Sequence, residues 1–215
     1  KVYYNSTKII DEYASATGIR SLLLRNQLEE IRKVVPSTTL SILLNNIREG
    51  TYVLDLTAYG AEILYKLRTM SIQEIANLPD VSEGLENLIK DVSNKTNNLI
   101  DLINGIKSKR YTQTRIQRIL LYALLGITKK DMEYSKKIVP YVRILGCSEN
   151  GKILLSQINN KAKIITSLKK FEKTNKNKKI ARMLEIDKKA TNIYTLGYKR
   201  NSVANLDYTK GLILQ

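Results

Sequence analysis

The residues best suited to chemistry lie in the run Lys107-Ser108-Lys109-Arg110-Tyr111-Thr112-Gln113-Thr114-Arg115-Ile116-Gln117-Arg118. At about 100° per residue, Arg115, Arg118 and Tyr122 share a stripe at i, i+3 and i+7. That stripe runs beside a broad apolar arc of Ile116, Ile119, Leu120, Ala123, Leu124 and Ile127. A helix built this way seats in a core and holds two guanidinium groups in fixed positions. Lys107, Lys109 and Arg110 stand just before its start, where unpaired amides also favour anions. Tyr111 offers a face on which an unpaired base can stack. The competing reading is a solvated face with snorkelling arginine stems. The cations adjoin the apolar arc rather than oppose it, and the run holds no acid, so phosphate binding is favoured.

A second constellation is Ser15-Ala16-Thr17-Gly18-Ile19-Arg20. Two hydroxyls, the leftover amides of a helix start and an arginine one turn on make a phosphate cradle. Spacing alone equally describes an ordinary Ser/Thr cap. Other chemistries find little support. The chain has no histidine, so no imidazole base or His-ligated metal comes from it, and its single cysteine, Cys147, gives no disulfide framework. Cys147 reads as an incidental thiol and Glu29-Glu30 as helix surface.

Charge supports a polyanionic partner. The formal net charge is +16 over 215 residues. Residues 107–137 hold nine Lys/Arg against two acids, and residues 161–200 hold thirteen against three. The remainder is close to neutral, so two windows carry the whole excess, as counterion release onto a nucleic acid requires. No apolar run reaches the roughly 20 residues that span a bilayer, and no leader peptide is visible, which makes the cytoplasm the expected compartment. Thirteen tyrosines against one Phe and no Trp suit a wet interface or reflect compositional drift.

The elements that would position these groups are mostly helical. Residues 1–10 read as a ragged strand or loop. A helix entered through Ser15 or Thr17 follows, and another opens at Pro36, carries Leu40, Leu43, Leu44 and Ile47, and stops at Gly50. Further helices are expected over Val53–Leu67, from the capping box at Ser71, from Ser82, over Asn97–Ile106 capped by Thr96, over Gln113–Ile127 capped by Thr112, and from Thr128 to Lys137. Tyr141–Leu145 and Ile164–Leu168 read as short strands around a helix at 148–158. A basic helix crosses the 170s and 180s, and the tail from Leu196 is loop-like. The expected fold is mostly α, a multi-helix domain with a small α/β patch near 141–168.

Several ordered motifs then carry a resemblance. Lys109-Arg110-Tyr111-Thr112, Thr114-Arg115-Ile116-Gln117-Arg118, Leu120-Leu121 and Leu124-Leu125 resemble the signature of the tRNA(Met) cytidine acetate ligase family. Ser82-Glu83-Gly84-Leu85-Glu86-Asn87 resembles its EGLEN motif, and Pro140-Tyr141-Val142-Arg143-Ile144-Leu145-Gly146 its PYIRVLG strand. Ala190-Thr191-Asn192-Ile193-Tyr194 and Leu206-Asp207-Tyr208 resemble closing motifs, and Ser15–Arg20 resembles the SATxIR motif that ends its catalytic domain.

The resemblance implies ATP-dependent acetylation of the wobble cytidine N4 of elongator tRNA(Met), with acetate as substrate and ATP, accompanied by Mg2+, as activator. It implies that Ser15, Thr17 and Arg20 bind ATP phosphates, and that Lys107, Lys109, Arg110, Tyr111, Arg115, Arg118 and Tyr122 bind tRNA. It further implies that residues 1–35 end a nucleotidyltransferase-like catalytic domain. Residues 36–139 would form a helical tRNA-binding domain and 140–215 a small α/β and basic helical region. No membrane or protein partner is implied. The family's catalytic domain carries a His-containing nucleotide motif that this chain lacks. The expectation is therefore a fragment of a longer protein, opening on Lys1, inactive alone and with no catalytic residue of its own. The rival readings are a helical RNA-binding module without ligase chemistry and an adenylyltransferase acting on a small molecule.

Overall fold

The computed structural model describes residues 14–82, 84–138, 141–158 and 163–214. The expectation for residues 1–10 lies outside them. The chain divides into two compact units, described here one at a time.

The first comprises residues 14–58 with 195–202. Helix α1 (Ala16–Leu24) starts where Ser15 Oγ accepts from the Gly18 amide at 3.0 Å. Of the two candidate caps it is thus Ser15 that caps, and Thr17 sits in the first turn. Helix α2 (Leu28–Val34) follows, and Leu22 and Ile31 are buried. Helix α3 (Ser37–Glu49) begins after Pro36, whose fixed φ suits the entry. It ends at Gly50 with φ +71°, a conformation that favours glycine. The Gly50 carbonyl then accepts from the Lys199 amide at 2.9 Å. The Leu40, Leu43, Leu44 and Ile47 stripe is half-buried.

The second unit comprises residues 59–194 with 203–214. The helix expected over Val53–Leu67 is instead a 3-10 turn at Leu56–Tyr59 followed by α4 (Gly60–Thr69). Asp55 is the reason: its Oδ1 accepts from the Thr57 amide at 2.7 Å, and such local side-chain bonds compete with a helix. Helix α5 (Ile72–Ala76) has the expected Ser71–Glu74 capping box. Helix α6 (Leu85–Lys95) enters through Gly84 at φ +81°. Helix α7 (Leu99–Ile106) is capped by Asn98, not Thr96, because the Thr96 hydroxyl donates back to the Val92 carbonyl and closes α6. Helix α8 (Gln113–Leu125) and helix α9 (Lys129–Lys137) follow, the latter with a Thr128–Asp131 capping box. Helix α4 packs on α6, α7 and α8. Ile63, Leu67, Ile89, Leu102, Ile116, Ile119 and Leu120 are among the fully buried side chains.

The α/β patch follows in the same unit. Strand β1 (Tyr141–Arg143), strand β2 (Gly146–Cys147), helix α10 (Glu149–Gln157) and strand β3 (Lys163–Ile165) come first. Helices α11 (Leu168–Thr174), α12 (Lys178–Leu196) and α13 (Leu206–Thr209) and strand β4 (Ile213–Leu214) complete the chain. Strand β1 pairs in parallel with β3 from Tyr141 opposite Lys163, and β2 with β4. The expected strand 141–145 is therefore shortened to Tyr141–Arg143, and β2 begins at Gly146, just beyond it. The second expected strand stops at Ile165, and Leu168 already begins a helix. The tail is not wholly loop-like, since it supplies α13 and β4. A small core of Ile165, Leu168, Ile180 and Leu184 joins the patch to α12. The architecture is mostly α with a small α/β patch.

Candidate nucleic-acid interface

The basic run folds into a closed turn and a helix start. The Ser108 amide donates to the Tyr111 carbonyl at 3.1 Å, and Ser108 Oγ accepts from the Tyr111 amide at 3.1 Å. Lys109 and Arg110 therefore occupy the exposed tip of a four-residue turn, with Lys107 exposed just before it. Tyr111 is its anchor: the side chain is buried, 9% exposed. The Arg115 guanidinium carbon lies 5.2 Å from its ring centroid and that of Arg110 5.7 Å. The ring is packed into the fold, and its cation–π contacts hold the two arginines.

The stripe on α8 is also more engaged than its spacing suggests. Arg115 Nε and Nη2 both donate to the Asp80 carbonyl, at 3.1 and 2.7 Å, and Nη2 also to Ser82 Oγ at 3.1 Å. Arg118 donates to Asp80 Oδ2, and the Asp80 and Tyr122 side chains hold its pKa above the ordinary guanidinium value. Arg115 and Arg118 are turned onto the loop before α6, and Tyr122 lies beside Arg118. Asp80 is the residue that sequence reasoning missed. Its φ of +63°, rare outside glycine, marks the tight turn that carries it to α8.

The two basic windows meet in this unit. Lys130 from α9 and Lys179 from α12 lie 5.6 and 5.3 Å from the Tyr134 ring centroid. Arg182 of α12 donates to Asp131 of α9 at 2.9 Å and to the Gly126 carbonyl at 2.8 Å. Partial burial pushes the Lys189 ammonium down, and Lys66 and Arg182 push the same way, the mark of locally crowded positive charge. Some cations serve the fold: Lys129 Nζ donates to the Ala76 carbonyl at 2.7 Å, at the end of α5. Lys107, Lys109, Arg110, Lys136 and Lys137 remain exposed.

The second candidate site lies in the first unit. Ser15 Oγ accepts from the Gly18 amide at 3.0 Å. The amides of Ala16 and Thr17 are those that a helix start leaves over. Thr17 is half-buried and Arg20 exposed one turn on. This arrangement fits one phosphate group. Among the described residues no group of three or more His, Cys, Asp or Glu side chains could hold a metal ion, and no helix is long and apolar enough to cross a membrane.

A family model described as HIGH Nucleotidyl Transferase matches residues 1–208. A tRNA(Met) cytidine acetate ligase of Caldanaerobacter subterraneus subsp. tengcongensis is 39% identical over 213 residues, 98% of this chain and 51% of that protein. One of Listeria monocytogenes is 35% identical over 196 residues, 90% of this chain and 46% of that protein. The chain thus spans about half the length of the curated relatives it matches. Among solved structures, apo Thermotoga maritima TmcAL superposes with a TM-score of 0.92 at 26% identity, covering 100% of this chain and 54% of that one. The same protein bound with alpha-thio ATP gives 0.87 at 28%, covering 95% and 53%.

Proposed function

The chain belongs to the HIGH nucleotidyl transferase family, alongside the tRNA(Met) cytidine acetate ligases, and from that premise we propose that it is the tRNA-binding part of such a ligase. The observation that carries this reading is the Ser108–Tyr111 turn, which fixes Lys109 and Arg110 outward over a buried Tyr111. Cations held in place by a packed anchor meet a phosphate backbone with less ordering cost than free side chains do.

In the complete protein, acetate would attack the α-phosphate of ATP, forming acetyl-adenylate and releasing pyrophosphate. The wobble cytidine N4 of elongator tRNA(Met) would then attack the acyl carbon, with AMP leaving and one N–H proton lost. Ser15, Thr17 and Arg20 would neutralise phosphate charge during the first step. Lys107, Lys109, Arg110, Arg115 and Arg118 would hold the tRNA backbone, with Tyr111 and Tyr122 as their supports. Residues 1–35 would close the catalytic domain, 36–139 form the tRNA-binding domain and 140–215 extend its basic surface, in the cytoplasm where tRNA is met. Inactivity of this polypeptide by itself draws no support from the family model, which spans residues 1–208 of a chain without histidine.

The experiment is tRNA(Met) binding by fluorescence anisotropy across a salt series, alongside ATP- and acetate-dependent acetylation of the same tRNA. Affinity should fall steeply with salt. A flat salt dependence would remove the tRNA reading, and tRNA binding with no acetylation by the complete protein would leave a binding module without ligase chemistry.

A further inference from the structure

The α/β patch and the tail enclose a cavity of about 380 Å³, within the size range of about 300–1,000 Å³ typical of small-ligand sites. It opens where β1 ends at Arg143 and β3 ends at Ile165. The carboxyl ends of adjacent parallel strands are where α/β units take ligands. Residues of α13 and the 210–213 segment form the facing wall. None of the basic run at 107–118 lines this cavity.

Its lining sets three chemical demands. Ile144, Leu168 and Leu206 supply apolar walls, which suit a flat, weakly hydrated body. Asp207 supplies an acceptor. Its Oδ1 takes a hydrogen bond from Arg143 Nη2, while Oδ2 is buried with no hydrogen-bond partner among the described residues. A buried carboxylate oxygen without a donor is costly, and a ligand N–H reaching Asp207 through the cavity it lines would relieve it. Lys169 and Lys210 line the cavity and are exposed. With Arg143 they set three cations against one carboxylate, which calls for an anion.

One ligand class satisfies all three demands: a planar heterocycle with N–H groups on its edge, carried on a phosphate. We propose that this cavity receives a single unpaired nucleotide, its base on Asp207 between the apolar walls and its phosphate on Lys169 and Lys210. Carboxylates accept from the exocyclic amines of bases, and unpaired bases are read by inserting them into such pockets. The nucleotide comes either from a bound RNA or from free mononucleotide. The RNA source rests on the function proposed above; the cavity assignment does not.

The test uses the full chain with three probes: tRNA(Met) by anisotropy, and cytidine 5′-monophosphate and ribose 5-phosphate by NMR. The filling variant is Leu212→Trp, on the half-buried tail wall, with thermal unfolding to confirm that it folds; Asp207→Asn is the second variant. Cytidine 5′-monophosphate should bind and ribose 5-phosphate should not, and Leu212→Trp should weaken tRNA by about tenfold, the worth of one well-made base contact. Loss of cytidine 5′-monophosphate in Leu212→Trp with tRNA unchanged would assign the cavity to a free nucleotide. Unchanged tRNA affinity together with no mononucleotide binding would overturn the proposal while leaving tRNA recognition intact. Failure of the wild-type chain to bind tRNA would sink the RNA reading instead, and the mononucleotide arm would then decide the cavity alone.

Discussion

Arg118 grips a single oxygen of Asp80, reaching Oδ2 through Nε at 3.0 Å and Nη2 at 2.8 Å. The carboxylate sits where a phosphate oxygen would meet the same guanidinium edge. Both side chains are exposed, 54% and 36%, so solvent screens the pair and an incoming phosphate can displace it. Asp80→Asn should therefore tighten tRNA binding at low salt. Arg118→Ala should weaken it and make the log–log salt slope shallower by about one, the loss of one phosphate contact. Anisotropy titrations at several salt concentrations read both. Identical slopes for Arg118→Ala and wild type would take Arg118 out of the phosphate contacts.

Tyr111 separates an anchor from a stacking platform. A buried ring beneath two guanidinium groups is part of the core, so Tyr111→Ala should cost about 3 kcal/mol in urea unfolding, as aromatic truncations in cores do. Tyr111→Phe keeps the ring and should retain both stability and tRNA affinity. A base-stacking role predicts the reverse for Tyr111→Ala: unchanged stability and lost affinity.

The contrast between these residues shows what the sequence disclosed. Capping boxes at Ser71 and Thr128 and the α8 arc follow local rules, so the helices they define were legible. Asp55, Thr96 and Asn98 shifted helix starts because each makes a short side-chain bond that propensity does not rank. The two-residue strands β2 and β4 are too short for any alternation to register, and only their pairing defines them. The site followed the same division. The basic residues were readable from charge, whereas Asp80 against Arg118 and Tyr134 against Lys179 join distant segments and emerge only in the tertiary fold.

Asp131 should make the second unit acid-labile. Burial opposes its ionisation, but the Arg182 guanidinium and the Thr128 amide outweigh burial and hold the carboxyl below its ordinary value. The unfolded chain, with a carboxyl near the usual pKa of about 3.9, binds the proton first as pH falls. The stabilisation is thus fully present above about pH 4 and is lost as pH drops through the lower folded value. Urea midpoints measured from pH 7 downward should fall in that range, and Asp131→Asn should lower the midpoint at pH 7 and flatten the acid slope. An acid slope unaltered by Asp131→Asn would place the lability in other carboxylates.

Helices α4 and α6 cap each other's carboxyl ends. Lys90 Nζ of α6 donates to the carbonyls of Leu67, Arg68 and Met70 at 3.1, 2.7 and 2.7 Å. Arg68 of α4 returns the favour to the carbonyls of Ser93 and Thr96 at 2.9 and 2.7 Å. Each cation meets the negative end of the partner's helix dipole and satisfies carbonyls that a helix end leaves open. Lys90→Met keeps much of the aliphatic stem and removes the charged donor, and should cost about 2 kcal/mol, the scale for hydrogen bonds to a charged group. Arg68→Met should also destabilise. The two caps secure one helix pair, so the double variant should lose less than the sum of the single losses. Urea unfolding of all four proteins completes the cycle. Strict additivity would mean that the apolar contacts between α4 and α6 set their packing, with each cap acting only on its own helix end.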